Sequence, residues 1–160
     1  MRGGEIRENA DVTQFVNFRI DDRDYAIDIK KIVEIIYYRP ATPLPQAPDF
    51  IEGVVDLRGT VIPILDLKKR LEMASVRAAA PNHILIMRIN DKTIGAVVDE
   101  VKQVLRLKES QIQSPQNTVS GSGSKYLRGV TRLDDRLVFI LSVDSLLSGE
   151  ERSLLKVRPA

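Results

Sequence analysis

From residue 14 to residue 66 the chain is a series of short runs in which apolar and polar side chains alternate, broken by clusters of Asp, Gly and Pro. Phe15-Val16-Asn17-Phe18-Arg19-Ile20 gives way to Asp21-Asp22-Arg23-Asp24 and then to Tyr25-Ala26-Ile27. A period of two places alternate side chains on opposite faces, the mark of a half-buried strand, and short polar side chains between two such runs mark a tight turn. The pattern predicts strands at about 14–20, 24–29, 33–38, 53–57 and 60–66. Ile29-Lys30-Lys31-Ile32-Val33 fits a brief helical turn, and Asp66 fits the cap of a short helix over 66–71.

The same pattern then returns. With a shift of 69 positions, Phe15 to Asp22 falls on Ile84 to Asp91 without a gap, and Ile29, Ile32, Ile35 and Ile36 fall on Val98, Val101, Val104 and Leu105. Farther on the shift is 76, which lays Gly53-Val54 on Gly129-Val130 and Val61 to Leu65 on Leu137 to Leu141. The difference is taken up in 114–124, where Pro, Asn, Gly and Ser replace the aliphatic pattern and predict a flexible loop. Five short strands cannot bury both faces as a flat sheet, so each copy is expected to curl into a small barrel packed on its twin. The expected division is a tail over 1–13, a first barrel over 14–80, a second over 81–148 and a tail over 149–160.

Composition narrows the function. In 160 residues, 43% hydrophobic and 29% charged is a globular balance, and a net charge of +2 gives no general phosphate-binding surface. Cysteine is absent, which removes disulfides, thiolate metal sites and cysteine nucleophiles. No run approaches the ~20 apolar residues of a membrane span, and the expected location is the cytoplasm without membrane insertion. His83, the one histidine, precedes Ile84-Leu85-Ile86 and fits the start of a strand better than a catalytic role. Asp21-Asp22-Asp24 and Asp134-Asp135 fall in predicted turns, Gly121-Ser122-Gly123 lacks the context of a phosphate loop, and Lys68-Lys69-Arg70 reads as a solvated helix face. No cofactor or metal is implied, and a binding protein is favoured over an enzyme.

Residues 48–67 read Pro-Asp-Phe-Ile-Glu-Gly-Val-Val-Asp-Leu-Arg-Gly-Thr-Val-Ile-Pro-Ile-Leu-Asp-Leu. This segment, with Tyr25-Ala26-Ile27-Asp28-Ile29 and Val33-Glu34-Ile35 ahead of it, resembles the CheW family of chemotaxis coupling proteins over about residues 14–148. Asp56 departs from the asparagine usual there. The resemblance implies two five-stranded SH3-like barrels and a non-enzymatic adaptor that joins the cytoplasmic tips of chemoreceptors to the regulatory domain of the chemotaxis histidine kinase. It also implies recruitment to membrane-associated receptor arrays.

By the same resemblance Arg58 takes part in receptor binding and pairs with Glu34, at a hairpin tip where Gly59 is free to adopt positive φ. The expected receptor groove draws Gly53, Val55, Arg58 and Gly59 from the first copy and Ile94, Val97 and Val98 from the second. Kinase binding is expected at Val16, Ile29, Ile32 and Ile35, each of which could instead be core. The free chain is expected to be monomeric. Two other readings remain at this level: a small barrel that binds nucleic acid, and an enzyme that uses the acidic turns.

Overall fold

A computed structural model describes residues 11–71, 73, 80–114 and 125–154; residues 1–10, most of the expected loop over 114–124, and 155–160 lie outside it. The strands are β1 (Val12–Ile20), β2 (Arg23–Asp28), β3 (Ile32–Tyr37), β4 (Ile51–Leu57), β5 (Thr60–Leu65), β6 (His83–Ile89), β7 (Lys92–Val98), β8 (Glu100–Lys108), β9 (Leu127–Leu133) and β10 (Arg136–Leu141). Two short helices, α1 (Leu67–Arg70) and α2 (Gly149–Leu154), follow β5 and β10. Mainly β structure in two five-stranded sheets is what the alternation predicts. β1 begins at Val12, inside the expected tail, and part of the expected C-terminal tail is helix α2. No helix among the described residues is long and apolar enough to cross a membrane.

The repeat reappears in three dimensions, down to its irregularities. Both copies bulge at equivalent places: at Val33 in β3 and Lys102 in β8, and at Glu52 in β4 and Arg128 in β9. Gly53 and Gly129 also match, and in each a Cβ would collide with a backbone carbonyl oxygen, that of Thr42 and that of Gln113. Only glycine permits these approaches.

Strand order corrects the expectation that each barrel is one contiguous copy. The first sheet runs β8-β1-β2-β10-β9 and the second β3-β6-β7-β5-β4. Each sheet therefore takes two strands from one half of the sequence and three from the other. The middle of the chain, Ile32 to Val98, supplies the second sheet, and the two ends meet to build the first. The physical cause is length: only Ile29–Lys31 separates β2 from β3 and only Asp99 separates β7 from β8. So short a connection after a hairpin turns the chain into the neighbouring sheet and leaves no room for a return to its own.

Alternation now serves three cores. Phe15, Ala26, Leu105, Val138 and Ile140 fill the inside of the first sheet, and Val55, Ile62, Ile64, Ile84 and Ile86 fill the second. The opposite faces, with Phe18, Ile20, Tyr25 and Ile27 from one sheet and Leu65, Leu85, Met87, Ile94 and Val98 from the other, meet in a shared apolar layer. Polar groups close the seam beside it. Asp99 accepts the Asp21 N–H at 2.6 Å, and Lys68 reaches Asp21 at 3.0 Å. Burial works against the charge on Lys68, but the bond to Asp21 and the nearby Asp99 and Asp66 outweigh it and hold its pKa above the ordinary value.

The twins differ inside. In the first sheet Asn17 and Asp24 are buried, and Asp24 is paired with Arg136 and with Lys102, 3.3 Å away. The equivalent positions in the second sheet are Ile86, Thr93, Thr60 and Val33, with no charge among them.

Candidate functional site

Among the described residues four hairpins turn in two residues, and in each the first turn residue has positive φ: Asp21, Arg58, Asn90 and Asp134. Asp and Asn tolerate that conformation because their short side chains bond the local backbone. Arg58 does not, and it stands at φ 52 with Gly59 at φ 84, the two left-handed residues of a type I′ turn between β4 and β5. Neighbours hold it there. Asp56 accepts the Gly59 N–H at 2.8 Å, so the departure from asparagine at this position keeps the oxygen that the turn needs.

The Arg58 guanidinium is bonded to Glu34 on β3, as expected, and its side chain is 70% exposed against 29% for Glu34. Arg58 is thus held at one end and open at the other. An exposed pair of this kind contributes only ~0–1 kcal/mol to stability, so its geometry matters more than its strength.

Glu34 and Ile36 turn toward the second sheet's own core, while Val33, Ile35 and Tyr37 stand on the other face and are exposed at 55%, 40% and 80%. Ile35 lies opposite Leu85, a residue of the shared layer, and Tyr37 opposite His83, on whose ring it stacks at 5.4 Å. Because β3 is the edge of its sheet, this stripe continues the shared apolar layer past the point where the first sheet covers it. Val33 and Tyr37 were not singled out from sequence. Their signal was present, since they share a strand face with Ile35.

Other expected positions fall elsewhere. Val16, Val55, Ile94 and Val98 are buried, Val97 is half-buried against the second core, and Gly53 is packed on Thr42. Ile29 and Ile32 are half-buried, with Ile32 against the shared layer. Of the two expected sets, Glu34, Arg58, Gly59 and Ile35 come together at the surface around β3. The acidic groups have structural partners: Asp24 its two cations, Asp99 a backbone amide, and Asp134 a turn. Among the described residues no three His, Cys, Asp or Glu side chains gather as a metal site. His83 opens β6.

Residues 14–151 match the model of the CheW-like domain. The chain belongs to that family. Similar proteins include the chemotaxis protein CheW of Rhizobium meliloti (strain 1021), 31% identical over 139 residues that cover 87% of this chain and 90% of the relative. Another is that of Thermotoga maritima, 33% identical, with 84% and 87% covered. Among solved structures, the scaffolding protein TtCheW from Thermoanaerobacter tengcongensis superposes with a TM-score of 0.78 at 29% identity, over 87% of this chain and 90% of that one. The CheW-like fold therefore holds for nearly the whole described chain, and the Arg58 hairpin and the β3 stripe are features of its surface.

Proposed function

We propose that the chain is a chemotaxis scaffold that couples chemoreceptors to the chemotaxis histidine kinase, with β3 as the element that serves both partners. The observation that carries the reading is the two-sided use of that strand. Through Glu34 it anchors the exposed guanidinium of Arg58, and on its other face it offers the apolar side chains of Val33, Ile35 and Tyr37. A fixed cation on a rigid hairpin suits orientation of a polar helical tip, whereas a contiguous apolar stripe suits a sheet-to-sheet contact with a second small barrel. Relatives named chemotaxis protein CheW and a solved relative titled a scaffolding protein support the same role. Nothing in the arrangement activates a nucleophile or moves a proton to a substrate.

The receptor tip is assigned to Arg58 and Gly59, and the regulatory domain of the kinase to Ile35 with its two neighbours. Ile32 opens β3 and Ile29 lies in the turn just before it, both half-buried. The test is co-sedimentation with receptor-bearing membranes beside pull-down with the kinase regulatory domain. Arg58→Ala is expected to weaken the first only. Ile35→Asp with Tyr37→Asp is expected to weaken the second only, with the circular dichroism of the fold unchanged. Equal loss of both by either variant would refute the division of labour.

A further inference from the structure

A second built site lies beside α1, away from β3. The Arg70 side chain is only 9% exposed, and its guanidinium lies 3.6 Å from the centre of the Phe50 ring. It donates to the Tyr126 hydroxyl at 2.9 Å and to both carboxylate oxygens of Glu151, at 2.7 and 3.3 Å. Four separate parts of the chain meet there: the segment just ahead of β4, the helix that follows β5, the start of the second copy's last hairpin, and helix α2. Arg70 Nε is buried without a hydrogen-bond partner, and a cleft lined by Asp49, Phe50, Lys69, Arg70 and Tyr126 opens beside it.

We propose that this is a carboxylate-binding site whose resident ligand is the chain's own Glu151, and that an acidic side chain of a partner protein displaces it. A desolvated guanidinium with a flat fork of donors, a tyrosine hydroxyl and an aromatic face is a receptor for a carboxylate, and the carboxylate in place shows what it accepts. Charge complementarity points the same way, because Lys69 and Arg70 line the cleft as two cations against the one carboxylate of Asp49. The resident ligand is replaceable. Leu146 and Leu147 are buried and anchor the chain, but from Ser148 onward it is a helix of six residues, too short to persist without tertiary support. Its capping box, with Ser148 N–H to Glu151 at 2.8 Å and Glu151 N–H to Ser148 at 3.1 Å, shapes the turn, and Arg70 ties that turn to the body of the protein. As a tethered ligand Glu151 acts at an effective concentration of about millimolar, so an incoming acid competes against it, and loss of the Glu151 charge exposes the full affinity of the site.

The probe is a capped peptide of residues 148–154, Ser-Gly-Glu-Glu-Arg-Ser-Leu, titrated into the full chain while the Arg70 Nε–H resonance is followed by NMR. In the Glu151→Gln chain the peptide is expected to give a saturable shift, at least tenfold weaker in the unaltered chain. The same peptide with Gln in place of Glu151 is expected to give none. Tyr126→Phe in the Glu151→Gln background should weaken binding severalfold and Arg70→Lys should abolish it. Should Arg70→Lys fail to fold, Tyr126→Phe decides. Equal binding by the unaltered and Glu151→Gln chains, equal binding of the two peptides, or no binding to the Glu151→Gln chain would each overturn the proposal.

Discussion

Arg58 occupies a conformation that the three comparable hairpins give to Asp or Asn, and the expense of a left-handed arginine is about 1 kcal/mol. Strain kept at an exposed tip marks a residue held for something other than stability. Replacing Arg58 by Asn is therefore expected to leave the melting temperature unchanged or raise it, while receptor co-sedimentation falls; a lowered melting temperature with binding intact would contradict this. Gly53 has the opposite character. With φ 155 and the Thr42 carbonyl oxygen where a Cβ would sit, Gly53→Ala forces two backbone segments apart, an expected cost of about 2–4 kcal/mol in a denaturant titration. Both residues stand in a segment whose motif is legible in the amino-acid sequence alone. What the sequence could not show is that Val55, Ile94 and Val98 point inward, because a curled strand buries both of its faces.

At the scale of elements, β3 and α2 mark the limits of reading by pattern. The alternation of β3 announced a strand and put Val33 and Tyr37 on the face of Ile35, but that this face stays uncovered was visible only once β3 proved to be an edge. The α2 segment carries a capping-box signature, Ser148-Gly149-Glu150-Glu151, yet its six residues lack the apolar periodicity that identifies a helix, and it reads as tail. Its attachment depends on pH. Burial disfavours the Glu151 carboxylate, but Arg70 and the Ser148 N–H outweigh burial and hold its pKa below the usual carboxylate range. A depressed carboxylate contributes its stability fully above the unfolded value and loses it as pH falls through the folded one. Amide protection over 149–154 is thus expected to be constant at neutral pH and to decline below the ordinary carboxylate range. In the Glu151→Gln chain the protection should already be low at neutral pH and should lack that decline.

For the whole molecule, the repeat gave away the number, order and turns of the strands, but not their partners. Two copies with the same alternation can complete their sheets from either half, and periodicity is blind to the choice. Charge supplies what periodicity lacks. Asp24 from the first half is enclosed by Lys102 and Arg136 from the second, so only the observed exchange gives this carboxylate its cations. Paired within its own half, it would face the positions of Val33 and Thr60. Asp24→Asn is expected to cost about 2 kcal/mol of unfolding free energy, less than for a fully buried pair because Arg136 is half in water. An unchanged midpoint would show that the network does not specify the pairing.

Since neither sheet belongs to one half of the sequence, a chain divided between α1 and β6 is expected to give two pieces that are each incomplete alone and complementary when mixed. The same geometry describes how such a protein could have begun. A half-length polypeptide of five strands satisfies all its pairings by lending three strands to an identical copy and receiving three in return. Fusion of two such genes, head to tail, converts that reciprocal homodimer into a single chain whose twins were then free to diverge, one keeping an ionic interior and the other an oily one.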